Sequence, residues 1–235
     1  MTQTEQAFQD VLAEIRERMA DAARQSGRQP EEITLLAVTK YVDEERMRLA
    51  QAAGLTAFGE NYPQQILAKA PAFPQISWHL IGHLQTNKVK YMVGLVSLLQ
   101  SLDSERLADA LERQCAKADT TQEVLLQVNM GREAQKSGVL PEGVEALLAH
   151  TIDHCPHLRV RGLMTIPPAG QASEATRGYF AATRQLFDRL AHADSRAPLD
   201  TLSMGMSADY EAAILEGATM VRIGTLLFGR RPPKA

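Results

Sequence analysis

The sequence predicts an α/β fold in which eight strand–helix units close into one barrel. Three observations carry that prediction. Short β-like runs alternate with helical runs from residue 34 to residue 223. Alternation of this kind implies parallel strands joined by right-handed crossovers. At 235 residues the chain is close to the ~250 that an eight-stranded barrel of this type takes. Almost every strand-like run also stops at a polar residue or a glycine, as expected where a barrel carries its site at the C-terminal ends of its strands.

The first 27 residues, "MTQTEQAFQDVLAEIRERMADAARQSG", form an amphipathic helix. Phe8, Leu12, Ile15 and Met19 recur at three- and four-residue steps, and Thr2 with Glu5 makes a capping box. The strand runs that follow are Thr34–Thr39, Thr56–Phe58, Ser77–Ile81 and Leu95–Leu99, then Glu123–Val128, Val160–Met164, Thr201–Met204 and Met220–Ile223. The fourth lies in "LVSLLQSL", which could equally begin a helix. Between the runs, "DEERMRLAQAAG" opens on the cap residue Asp43 and ends on Gly54, a suitable residue just past a helix. "SERLADALERQCAKA", "PEGVEALLAH" and "YFAATRQLFDRLAHA" supply further helices, the second with proline in its first turn. An open doubly wound sheet would carry a Gly-rich turn after its first strand, and "AVTKYV" has no glycine. No linker or internal repeat divides the chain, so residues 1–235 are read as one domain.

Composition removes several functions. Net charge is −3 and no basic stretch resembles a nucleic-acid footprint. No apolar run approaches the ~20 residues of a membrane span, and the N-terminus lacks the apolar core of a secretory signal. The expected location is the cytoplasm. Cys115 and Cys155 form no C-x-x-C pair, which argues against a disulfide framework or a zinc knuckle. His150, His154 and His157, in the connection into the sixth strand, read as surface or internally bonded histidines, and no metal site is expected. Trp78 reads as packing, and Lys88 and Lys136 as solvated lysines. Lys136 is also a candidate for a secondary amine site at the barrel mouth.

The strand ends hold the chemistry. "ITLLAVTKYVDEERM" delivers Lys40 at the mouth of a buried strand, where an amine with a lowered pKa can attack a carbonyl. "LSMGMSADYEAAILEGA" brings Ser203 and Ser207 to the seventh strand end, and "MVRIGTLLFG" brings Arg222, Gly224 and Thr225 to the eighth. Loops after strands seven and eight are a frequent phosphate site in such barrels. In a closed barrel the first strand neighbours the eighth. An amine, a phosphate cradle and an arginine between them would suit pyridoxal 5′-phosphate, with the arginine at the pyridine nitrogen disfavouring ring protonation. A Schiff-base aldolase, with the same cradle holding a sugar phosphate, is the competing reading.

The segments "LLAVTK", "FGENYPQQ", "WHLIGHLQTNK", "QVNMGREAQKSGV", "GLMTIPP", "LSMGMSADYEAAI" and "MVRIGTLLFG" together resemble the pyridoxal phosphate homeostasis protein family, relatives of the N-terminal barrel of alanine racemase. The resemblance runs nearly the full length. It implies a single (β/α)₈ TIM barrel of the alanine racemase N-terminal type with an extra N-terminal helix. It implies that Lys40 carries pyridoxal 5′-phosphate covalently as a Schiff base. Ser203, Gly224 and Thr225 would contact the phosphate, with Ser207 a second serine candidate; Arg222 would face the pyridine nitrogen and Asn61 would neighbour the ring. The family is thought to buffer the cofactor and deliver it to apo-enzymes, supporting vitamin B6 and amino-acid homeostasis without robust turnover. No catalytic residue is therefore assigned, and a monomer is expected. Alanine racemase draws its opposite-face tyrosine base from a second domain, for which this sequence has no segment. A low-activity amino-acid racemase remains the alternative within the same chemistry.

Overall fold

A computed structural model describes residues 2–171, 173–194 and 196–229. Arg230 and Arg231, at which the family resemblance ends, lie outside the described residues. Eight parallel strands close into a barrel in chain order: β1 (Thr34–Val38), β2 (Ala57–Glu60), β3 (Ser77–Leu80), β4 (Leu98–Leu102), β5 (Gln122–Val128), β6 (Leu158–Thr165), β7 (Thr201–Met206) and β8 (Met220–Ile223). Closure is made by β1 against β8, with Leu36 opposite Arg222. The (β/α)₈ class expected from the alternation is the one observed.

The helices are α1 (Gln3–Gln25), α2 (Glu44–Ala52), α3 (Pro63–Lys69), α4 (Glu105–Ala118), α5 (Val144–His154), α6 (Ser173–Ala193), α7 (Tyr210–Leu215) and α8 (Thr225–Phe228). α1 starts at the predicted capping box: the Glu5 amide donates to the Thr2 hydroxyl at 3.2 Å and the Thr2 amide to the Glu5 carboxylate at 2.6 Å. Its apolar stripe buries Leu12, Ile15 and Met19, Phe8 meets Phe228 at 6.0 Å between ring centres, and Arg18 pairs with Glu211. Loss of the cap in Thr2→Ala is expected to cost about 1 kcal/mol. Hydrogen exchange should report it as faster exchange in the first turn of α1 with unchanged protection in the barrel strands.

One strand sits three residues later than the sequence suggests. Leu95 and Val96 are not strand but turn: both amides donate to the Met92 carbonyl, at 3.0 Å each, beyond Gly94, whose φ is +79°. The apolar run misleads because Leu95 and Val96 pack under that turn. The strand proper, β4, carries Gln100 and Ser101 into fully buried positions.

Two apolar clusters organise the packing. The larger fills the space between strands and helices and includes Phe58, Trp78, Leu99, Phe180 and Tyr210. The smaller, comprising Leu36, Val38, Ile81, Leu98, Leu125, Met164 and Met220, lies within the barrel. Branched hydrocarbon is the usual filling of such an interior. Here it is interrupted by buried His79, Gln100, Ser203 and Arg222.

Candidate cofactor site

A cavity of about 480 Å³ opens at the C-terminal ends of the strands, within the size range of small-ligand sites. Lys40, Asn61, Ser207, Arg222, Gly224 and Thr225 all line it. Ser203 does not reach it. That side chain is fully buried below the cavity, and its hydroxyl accepts from Arg222 at 2.8 Å and donates to Gln100 at 2.7 Å. Sequence could not separate the two serines. The register between β7 and β8 shifts between Ser203 and Met206, and Gly205 adopts φ +89°, so Ser207 comes forward while Ser203 points inward.

Lys40 stands in a tight turn. The Val42 amide donates to the Thr39 carbonyl at 3.0 Å, and Tyr41, the third residue of the turn, has φ +63°. A left-handed tyrosine costs on the order of 1 kcal/mol, so the surroundings must hold it. They do so through Thr39. Its carbonyl also accepts from the Lys69 ammonium at 2.8 Å, and its hydroxyl donates to Glu60 at 2.9 Å. Lys69 and Glu60 pair directly at 2.6 Å, with side chains 10% and 0% exposed. Sequence reading missed this clamp. The available signal was Lys69 three residues after Ile66, on the buried stripe of α3.

Arg222 is 3% exposed and spends two N–H groups on the wall of the barrel, donating to Ser203 and, at 2.8 Å, to the Thr165 carbonyl. Burial pulls its pKa down to about 10, opposed by the attraction of Asp209. The guanidinium is therefore cationic at neutral pH. Burial raises the Asp209 carboxyl above its ordinary value, against the Met206 amide that donates to it at 2.6 Å.

The loops after β7 and β8 meet at an oxygen. The Ser207 hydroxyl accepts from the amides of Gly224 and Leu226, at 3.4 and 3.3 Å. Two backbone donors at the start of α8 thus converge on a single acceptor, the arrangement an anion recruits. Asn61 supplies a further indication: its Oδ1 is buried and has no hydrogen-bond partner among the described residues. A buried acceptor left so is costly unless a bound group donates to it. The donor set, with an amine, a guanidinium, converging amides and a waiting acceptor, fits a phosphorylated aldehyde with a heteroaromatic ring.

A smaller cavity of about 200 Å³ shares Asn61, Ile81 and Ile166 with the first and is bordered by His83 and Lys136. The Lys136 ammonium is held by the Pro167 carbonyl at 3.1 Å and Glu133 at 2.5 Å. The histidines of α5 and the turn after it lie elsewhere, on the barrel wall. His150 pairs with Asp109 at 2.8 Å and His157 with Glu112 at 2.6 Å, joining α5 and the following turn to α4. Cys115 and Cys155 are free and buried, and burial pushes both thiols up to about 11.

Fold and cavity define a barrel of the alanine racemase type, and the family model described as "Alanine racemase, N-terminal domain" matches residues 11–232. Within that class the chain belongs to the pyridoxal phosphate homeostasis protein family. It is 45% identical to the pyridoxal phosphate homeostasis protein of Aquifex aeolicus, over 94% of this chain and 96% of that one. Among solved structures it is similar to PipY of Synechococcus elongatus with PLP bound, at 33% identity and TM-score 0.82, covering 94% of this chain and all of that one. A protein from Bifidobacterium adolescentis superposes with TM-score 0.90 at 31% identity, covering 97% of each chain.

Proposed function

We propose that this chain binds pyridoxal 5′-phosphate covalently through Lys40, buffers it, and delivers it to apo-enzymes. The observation that carries the reading is the convergence of Lys40, Arg222 and the Ser207–Gly224–Thr225 cradle on one cavity. Pyridoxal phosphate supplies an aldehyde, which condenses with a primary amine to a Schiff base. The chain's own residues do the rest. The turn through Thr39 and Tyr41 presents the Lys40 amine from the strand end. Ser207 and the amides of Gly224 and Leu226 offer donors for the phosphate. Arg222 lines the cavity and would face the pyridine nitrogen, where its positive charge would disfavour protonation of the ring. An unprotonated ring is a weak electron sink, which favours carriage over turnover. The names of the relatives, and PLP bound in PipY, support the same reading.

The chain is taken to act as a monomer in the cytoplasm; no helix among the described residues is long and apolar enough to cross a membrane. The decisive experiment is borohydride reduction of the protein mixed with pyridoxal phosphate, followed by peptide mapping. A single pyridoxyl adduct on Lys40, and loss of the visible absorption band in Lys40→Ala, are expected. Labelling spread over surface lysines, unchanged in Lys40→Ala, would reject the assignment.

A further inference from the structure

We propose that His79 and Gln100, buried in the barrel beneath the cavity, are positioning residues that orient Arg222 through a hydrogen-bond chain with one permitted direction. The inference rests on the reading of Arg222 as the partner of the cofactor ring. It starts from an elementary fact: a guanidinium only donates. Arg222 Nη1 donates to the Ser203 hydroxyl at 2.8 Å, so the single hydrogen of that hydroxyl is turned to its other neighbour, Gln100 Oε1, at 2.7 Å. This fixes the Gln100 amide, whose nitrogen lies 3.0 Å from His79 Nδ1 and 3.1 Å from Met220 Sδ. His79 Nδ1 must then be the acceptor, and the imidazole hydrogen sits on Nε2, 3.3 Å from the Ser77 hydroxyl. Ser77 lies 2.6 Å from the Ser97 hydroxyl, which donates to the Trp78 carbonyl at 3.0 Å.

Every donor and acceptor assignment in the chain follows from the arginine. Reversing a link among Ser203, Gln100 and His79 Nδ1 breaks a bond in a place closed to water, since Gln100 and Ser203 are 0% exposed and His79 is 7% exposed, whereas the Ser77–Ser97 end meets solvent. A doubly protonated His79 would aim an N–H at the amide nitrogen of Gln100. Burial works against that state, pulling the imidazole pKa down to about 4. The chain links β8, β7, β4 and β3, from the cavity floor to the other end of the barrel. Buried polar groups of this kind are costly unless fully satisfied, and when satisfied they specify one arrangement. Here the arrangement specified is the plane of the Arg222 guanidinium, tied on one side to Ser203 and on the other to the Thr165 carbonyl.

His79→Leu removes the acceptor at one end. Gln100 is then free to turn its amide nitrogen towards Ser203, where its N–H competes with Arg222 for the hydroxyl oxygen and the hydroxyl hydrogen loses its acceptor. His79→Asn keeps an acceptor near the position of Nδ1 and should preserve the direction. Three measurements decide. Nitrogen NMR of the ligand-free protein should show His79 neutral and protonated on Nε2 throughout the neutral range. With pyridoxal phosphate added, borohydride trapping on Lys40 should persist in both variants. The pH midpoint of the bound cofactor's visible absorption should rise by about one unit in His79→Leu, a tenfold change in proton affinity, and return in His79→Asn. An Nδ1-protonated His79, an unchanged midpoint in His79→Leu, or equal displacement in both variants would overturn the proposal. Failure of trapping in the unaltered protein would instead reject the cofactor reading, while the tautomer, measured without cofactor, still judges the chain. Because the tautomer is read on the unaltered protein, a variant that does not fold leaves the test intact.

Discussion

Lys69→Met is expected to lower the thermal midpoint by roughly 10 °C and to weaken borohydride trapping at Lys40, although Lys69 is not among the residues lining the cavity. The lysine is buried against Glu60, which is 0% exposed, at 2.6 Å. Removing one member of such a pair leaves the other charged and desolvated, a loss of about 3–5 kcal/mol. Glu60 has no ready compensation. Its Oε1 already receives Thr39 and Lys69, and its Oε2 is buried with no partner among the described residues. The second consequence is local. The Thr39 carbonyl would keep only the Val42 amide, and the left-handed Tyr41 would lose part of what holds it beside Lys40. The paired substitution Glu60→Gln/Lys69→Met separates the two effects. It should recover most of the stability, since no charge is stranded, but not the trapping, since the donor to Thr39 is still missing. Equal recovery of both would show that the clamp acts on stability alone.

How far this site was legible follows from where its signals lie. Lys40, Arg222 and Gly224 sit at strand ends, and strand ends are found by periodicity, so closure of the barrel brings them together without further information. The fold was legible for the same reason, apart from β4, where a buried turn imitates the start of a strand. Ser203 and Ser207 needed more. Which of them reaches the cavity depends on a register shift between β7 and β8, and a shift leaves no compositional trace beyond Gly205. Lys69 was missed because its meaning is tertiary: beyond its spacing from Ile66, a lysine on a short helix reads as solvated until the helix is docked. His79 and Gln100 were invisible for a related reason. A polar residue inside a barrel acquires its role from residues on other strands, and Gln100 and Ser203 are 103 positions apart.

Gly82→Ala should cost the protein at least tenfold in affinity for pyridoxal phosphate. A β-carbon at Gly82 would stand 2.1 Å from the Asn61 carbonyl oxygen and 2.9 Å from its α-carbon. Both obstacles are backbone, so no rotamer change relieves them, and the loop after β3 or the end of β2 must move. Overpacking of this kind costs about 1–3 kcal/mol in stability. Its larger effect is expected at the cavity, because Asn61 lines the same cavity as Lys40 and belongs to the segment that follows Glu60. A displacement costing as little as about 1.4 kcal/mol of binding free energy is a factor of ten. Gly178→Ala is the matched control. Gly178 lies exposed on α6 with nothing within 4 Å of an added β-carbon. That change should leave binding untouched and stabilise the helix by up to about 1 kcal/mol. Equilibrium titration of the absorption band, beside urea unfolding, distinguishes the two. If Gly82→Ala lost stability while binding as tightly as Gly178→Ala, the Asn61 wall would not be a binding surface. The cofactor would then have to be held by the β7–β8 cradle and Lys40 alone.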